Sequence, residues 1–109
     1  MRRPRVGALR HRLRLEAPTH DEDGSGGAIV SWQPVATLWA EVIAGSGREI
    51  LQSDGLTALA MHEVRIRYRS DVTAEMRFVM GERVLDIRAV RDLDGCRLWL
   101  SCLCEERAA

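Results

Sequence analysis

Leu38–Glu49 reads LWAEVIAGSGRE, and its first half is a strand. Leu38, Ala40 and Val42 alternate with Trp39, Glu41 and Ile43. That is a period-two pattern with apolar residues on both faces, as in a strand of a sheet core. Gly45-Ser46-Gly47 then interrupts the alternation, because glycine supplies backbone angles that strands do not use. About 15 residues without a clear strand pattern follow, up to Met61, and alternation resumes at Val64. So long an excursion from a sheet, in a compact domain, is functional or disordered.

The same alternation recurs on both sides. Leu9, His11, Leu13 and Leu15 alternate with Arg10, Arg12, Arg14 and Glu16, giving one buried and one charged face. Thr19–Gly27 (THDEDGSGG) reads as a loop, and Ala28–Trp32 as the returning strand of a hairpin. Pro34 marks an edge or a bulge before the strand Val35–Ile43. Downstream, Val64, Ile66 and Tyr68 alternate with Arg65, Arg67 and Arg69, and Ser70–Thr73 is a turn. Met76–Met80 is a short strand, followed by a Gly81-Glu82 turn and a strand carrying Leu85, Ile87 and Ala89. Asp92–Gly95 turns the chain into a last strand with Leu98, Leu100, Cys102 and Cys104. Six or seven short strands separated by turns predict an all-β fold, a small antiparallel barrel or sandwich. The helical candidate is Arg48–Ala60 (REILQSDGLTALA), inside the excursion. Asp54-Gly55 weakens a continuous helix, so the expected element is a short helix from about Ser53, capped by Ser53 or Asp54. The expected organisation is one domain over residues 1–109, with a projecting loop at about 45–61 carrying that helix.

Composition narrows the function. The 109 residues allow a modest core. Sixteen basic and 16 acidic residues cancel, which argues against a dedicated nucleic-acid binder. The basic residues are all arginine, and Arg2, Arg3, Arg5, Arg10, Arg12 and Arg14 precede the acids Glu16, Asp21, Glu22 and Asp23. No apolar run approaches the roughly 20 residues that span a bilayer, and the N-terminus lacks the apolar stretch of a signal peptide. The expectation is a soluble, cytoplasmic protein with no membrane partner. Its three cysteines are an odd number, which argues against a disulfide framework.

Neither metal nor catalytic chemistry is indicated. Cys96, Cys102, Cys104, His11, His20 and His62 are the soft-ligand candidates, and none has zinc-like spacing. Cys102 and Cys104 share one strand face and read as small buried residues. No histidine has an evident orienting partner, the carboxylates are scattered, and Gly45-Ser46-Gly47 lacks the sequel of a phosphate loop. We expect no enzyme, no metal and no cofactor. The arginine stripes Arg10, Arg12, Arg14 and Arg65, Arg67, Arg69 have two readings. One is a solvated face with weak cross-strand ion pairs. The other is a subunit interface or a channel wall near nucleic acid. Trp39 reads as core, while Trp32, near a loop, fits core and binding equally.

An ordered set of short pieces resembles a known family. These are Gly7-Ala8-Leu9-Arg10-His11-Arg12-Leu13, an acidic glycine-rich loop with Trp32, Trp39-Ala40-Glu41-Val42 and Gly47-Arg48-Glu49. Val64-Arg65-Ile66-Arg67-Tyr68-Arg69, Met76-Arg77, Trp99-Leu100 and Cys104-Glu105 complete it. The chain is similar to the head–tail connector proteins of tailed bacteriophages. It looks like their head-closure or stopper group, also called head–tail joining proteins, with counterparts in gene transfer agents. One departure is Leu85, where such proteins often carry an aromatic. The resemblance implies a β-barrel that forms a homo-oligomeric ring in the neck of a particle assembled in the bacterial cytoplasm. Portal and adaptor proteins would lie above it and a tail terminator below. A long loop would close the channel in transient contact with packaged DNA. The matching segment is Gly45–Met61, so Gly45, Gly47, Arg48, Glu49, Ile50 and Leu51 are the candidates for the channel loop or a subunit contact. Arg10, Arg12, Arg14, Arg65, Arg67 and Arg69 are candidates for the interface.

Length makes a six-membered ring the expectation and a twelve-membered ring the alternative. A compact chain of this size is about 34 Å across, and six such spheres leave a hole of about the same width. A loop of about 17 residues, out and back, reaches roughly 25–28 Å, beyond the hole's radius of about 17 Å. Two rival readings remain: an adaptor or tail-terminator component of the same neck, and a small nucleic-acid-binding barrel. The last would need aromatic residues interleaved with basic ones on one face.

Overall fold

The structure, a computed structural model, describes residues 9–22, 24, 26–52 and 55–107. Six antiparallel strands carry the fold: β1 His11–Glu22, β2 Ala28–Gln52, β3 Gly55–Arg67, β4 Arg77–Met80, β5 Arg83–Asp92 and β6 Trp99–Arg107. The sheet closes on itself as a barrel in the order β1-β2-β3-β6-β5-β4, with β4 returning to β1 through Leu15↔Phe78. The all-β barrel expected from the alternation is present.

Inward-facing residues follow the period of two. Leu13, Leu15, Ala40, Val64, Phe78, Leu85, Ile87, Cys102 and Cys104 are fully buried in one cluster, with Ile66 and Leu100 beside them. Val72, from the loop after β3, joins the same core. A barrel of few strands has an interior just filled by side chains, which leaves no lumen for a ligand. Gly81 takes φ 61 in the tight turn between β4 and β5, a conformation that glycine reaches without steric cost.

β2 organises the molecule. Its 25 residues, laid straight at about 3.3 Å each, would span about 80 Å. The longest dimension of the whole molecule is 48 Å, so β2 is strongly bent. It carries two bulges, the ordinary cause of such bends. At the first, Leu15 pairs with Ala36 and Glu16 with Pro34, so Val35 is the extra residue. This is the bulge that Pro34 signalled. At the second, Ala44 pairs with His62 and Gly47 with Ala60, so Gly45 and Ser46 together oppose Met61.

Three expectations are corrected. Thr19–Glu22 belongs to β1 and pairs with Ala28–Ser31, so the expected loop is shorter at its start. Trp39 is 54% exposed and not core, because the strand that buries Leu38, Ala40 and Val42 turns Trp39 outward. The third concerns the excursion. Arg48–Gln52 and Gly55–Ala60 are strand, paired from Gly47↔Ala60 to Gln52↔Gly55, where a loop with a short helix was expected. The proposed caps Ser53 and Asp54 lie outside the described residues. Among the described residues the helical content is a 3-10 turn at Leu93–Gly95, where the sequence showed a turn.

Candidate assembly surfaces

The excursion is a β-hairpin arm. Among the described residues, β6 accompanies β3 as far as Leu59↔Arg107, and β1 accompanies β2 as far as His11↔Ala40. From Glu49↔Ala58 to Gln52↔Gly55, among those residues, the two strands pair with each other alone. Gly45 sits at the bend where the arm leaves the barrel. A Cβ there would collide with the backbone carbonyl oxygen of Met61, so the close strand crossing requires glycine. Of the candidates, Gly45 lies in the bulge and Gly47 is the first paired residue after it, while Arg48, Glu49, Ile50 and Leu51 lie on the β2 side of the arm. The side chains of those four lie outside the described ones.

Next to the arm, the outer face of β2, β3 and β6 holds a polar network. Glu41 stands opposite Arg65, and Arg65 opposite Ser101. Arg65 donates from Nε to Glu63 at 2.9 Å, and its Nη1 lies 3.7 Å from Glu41. Ser101 donates to the same Glu63 oxygen at 2.5 Å. Burial alone would raise the Glu63 carboxyl. Hydrogen bonds from Arg65 and Ser101 and the charge of Arg91 outweigh that and hold it below the ordinary carboxylate range. Glu63, Ala89, Arg91, Ser101 and Leu103 line an open depression of about 300 Å³. Ile43 and Leu103 beside it are 37% and 45% exposed.

Two arginine–tryptophan pairs lie on the same face. Arg12 on β1 pairs in register with Trp39 on β2, and Arg67 on β3 with Trp99 on β6. The β2–β3 ladder begins at Glu41↔Arg65, two residues short of Trp39 and Arg67. The Arg12 guanidinium lies 5.4 Å from the Trp39 ring centre, and that of Arg67 lies 5.1 Å from Trp99. Both are cation–π distances. Trp99 is buried beneath Arg67, while Trp39 is half exposed.

Six other arginines, Arg14, Arg65, Arg69, Arg77, Arg83 and Arg88, are tied to carboxylates. Arg14 and Arg77 each donate to Glu16, at 2.7 and 2.8 Å, and Arg77 also lies 4.1 Å from the Trp32 ring centre. Trp32, left open between core and surface, is therefore a partly covered residue stacked on an ion pair. Burial would raise the Glu16 carboxyl, but hydrogen bonds from Arg77 and Arg14 lower it further. Arg69 makes a two-pronged contact with Asp71, and Arg10 is exposed. The two arginine stripes thus do not form one cationic patch. Arg65, Arg14 and Arg69 serve internal ion pairs, whereas Arg12 stacks on Trp39 and Arg67 on Trp99.

At the foot of the arm, Glu106 accepts two hydrogen bonds from Arg83 and lies 2.8 Å from Nε2 of buried His62. The Arg83 hydrogen bonds, aided by His62, pull its carboxyl down to about 2. Among the described residues, no group of three or more His, Cys, Asp or Glu side chains could hold a metal. Cys102 and Cys104 are buried thiols and Cys96 is exposed, as their strand positions predicted for the first two. The outward Trp39 could have been read from the sequence, since it shares its strand face with charged Glu41. Its partnership with Arg12 could not, because nothing local in the sequence records which strands are neighbours.

The model of the phage head completion protein family matches residues 4–107. The chain belongs to the phage head completion protein family. Head completion protein gp7 of Enterobacteria phage HK97 is 37% identical over 71 residues, which cover 65% of this chain and 63% of that protein. The match therefore spans somewhat less than two-thirds of the length of that relative. A chain in the virion of a native gene transfer agent particle has the same fold, with a TM-score of 0.83 and 33% identity. That likeness covers 97% of this chain and 98% of the other. Protein SF1141 of Shigella flexneri 2a, solved in solution, is similar at a TM-score of 0.66 and 28% identity, over 93% of this chain and 95% of that one. The resemblance noted from the short sequence pieces is thus a family membership.

Proposed function

We propose that this head completion protein forms a ring in the neck of a phage or gene transfer agent particle. The ring closes the DNA channel with the β2–β3 arm and offers its outer surface to the tail. Portal or adaptor proteins lie on one side of the ring and a tail terminator on the other. Contact with packaged DNA is transient, and the ring is assembled in the bacterial cytoplasm.

The arm carries this reading. From Gly47 to Gln52 it is six residues of paired strand, about 20 Å at 3.3 Å per residue. The short dimensions of the molecule are 31 and 25 Å. Six subunits of that width leave a central hole of about the same width, with a radius of roughly 13–16 Å. The arm spans that radius. Twelve subunits leave a radius of roughly 36–44 Å, which it does not. A paired hairpin suits the task better than a loose loop, because its backbone hydrogen bonds are satisfied without a protein surface around it.

Electron microscopy of particles provides the test. The expected density is a closed six-fold ring with a hairpin from each subunit converging on the axis. A chain absent from the neck, or present there as a single copy, would refute the reading.

A further inference from the structure

Between the far half of the β1–β2 ribbon and the start of β4 lies an open groove of about 430 Å³. We infer that this groove receives residues 2–6 of a second copy of the chain, so that each subunit is tied to the next by the segment that precedes its β1. This inference rests on the ring-forming reading and adds the contact that joins neighbouring subunits.

The groove is apolar on one side and acidic on the other. Pro18 on β1 and Val30 and Trp32 on β2 supply the first side. They share one face of the ribbon, since Pro18 pairs with Trp32 and, two residues on, His20 pairs with Val30. Val30 is 49% exposed. Glu75 and Met76, before and at the start of β4, and Asp86 on β5 supply the second side. Glu75 is exposed, and its carboxylate has no cationic partner among the described residues. Asp86 lies 4.0 Å from Arg88, which also lines the groove. The Arg88 guanidinium is held elsewhere, however, by Glu105 at 3.2 and 2.9 Å. Negative charge is therefore in surplus beside exposed apolar surface.

Residues 2–6 read RRPRV, and no acid precedes Glu16. Successive side chains of an extended segment point to opposite sides. Pro4 and Val6 would thus present one apolar side, and Arg3 and Arg5 one basic side, to match the two sides of the groove. A guanidinium also offers a carboxylate two parallel hydrogen bonds. Pro4 holds its φ in the free chain, which lowers the entropy lost on docking.

A copy cannot fill its own groove this way. Pro4 is five residues before Leu9 and reaches about 17 Å from it at 3.3 Å per residue. Pro18 is nine residues after Leu9, on a strand paired with β2 from His11 to Glu22, and so lies about 30 Å away. Segment and groove stand at opposite ends of β1. The contact is therefore head-to-tail, the kind that repeats around a ring. Phosphate is the rival partner for these arginines, but Glu75 and Asp86 would repel it from the groove.

The test uses full-length protein assembled on particles that lack their own copy. Arg5→Cys with Glu75→Cys, in a Cys96→Ser background, should give a ladder of bis-maleimide cross-linked oligomers ending at the ring size. Arg3→Glu with Arg5→Glu should lower ring occupancy at least tenfold. Adding Glu75→Arg and Asp86→Asn should restore most of it. Circular dichroism confirms that each variant is folded. Where wild-type rings form, absence of the ladder or of the rescue overturns the inference and leaves the ring standing. So does a cross-link confined to single chains, or one from the groove to a different neck protein. Intact rings in the arginine variant overturn it too, and lost DNA retention in those rings would assign the arginines to phosphate. A wild-type neck without a ring overturns the proposed function itself, and this contact with it.

Discussion

Gly45 and the cysteines show how single positions follow from local physics. At Gly45 the obstacle to a side chain is a backbone carbonyl, that of Met61, which cannot swing aside as a side-chain tip would. Gly45→Ala should therefore cost about 1–3 kcal/mol through overpacking, read as a lower urea midpoint. An unchanged midpoint would mean that the bulge relaxes freely. Burial pushes the Cys102 thiol up to about 12 and Cys104 higher still. Thiolate is the reactive form, so a thiol-reactive disulfide reagent should modify Cys96 alone in the native protein. All three cysteines should react after denaturation. Their burial was legible because free cysteines on the inward phase of a strand behave as small apolar residues. The exposure of Trp39 was legible too, but the bulk of the residue argued for the core and the phase of its strand argued for solvent. Phase won, because strand geometry fixes the direction of every second side chain.

At the scale of elements, the β2–β3 arm is where sequence and structure diverge. Alternation reports burial of one face, and a two-stranded ribbon beyond the barrel has no core to report on. Backbone pairing alone makes it strand, and a ladder of N–H and C=O groups is chemically the same for every residue except proline. The leucines and alanines of Leu56–Ala60 thus suggested a helix that tertiary pairing overrode. The arm should be separable from the barrel. Joining Glu49 to Ala58 through an Asn-Gly turn keeps their cross-strand pairing in a two-residue hairpin. That variant should unfold within a few degrees of the parent in a thermal melt. In particles it should leave DNA retention defective, read as nuclease-sensitive genomes. Loss of the melting transition would show that the arm is needed for the fold.

Across the whole molecule, ion pairs fasten the strands to one another, and their pH response can be worked out. Glu106 on β6 joins Arg83 on β5 and His62 on β3, and its carboxyl is lowered from the ordinary 4.5 to about 2. A carboxyl depressed in the folded state takes up its proton later than in the unfolded state. Its contribution is complete above about pH 4.5 and is lost as pH falls toward 2. Glu16 and Glu63 are lowered in the same direction. Stability should therefore decline between pH 5 and 2, with Glu106 supplying about 1–3 kcal/mol after allowance for the exposure of Arg83. Glu106→Gln should lower stability at neutral pH and flatten the decline, measured by urea unfolding across that range. The sequence by itself determined the all-β class, most of the strands of the barrel with their inward leucines, valines and cysteines, the irregularity at Pro34 and the family, because these are written in local periodicity, punctuation and ordered short motifs. Only the tertiary structure decided that the excursion is a paired arm, that β2 bends twice, and that Arg12 and Arg67 meet tryptophans while Arg14 and Arg65 meet carboxylates. Those outcomes depend on which strands become neighbours when the sheet closes, and neighbours across a barrel are set by the register of backbone hydrogen bonds between segments far apart in the chain.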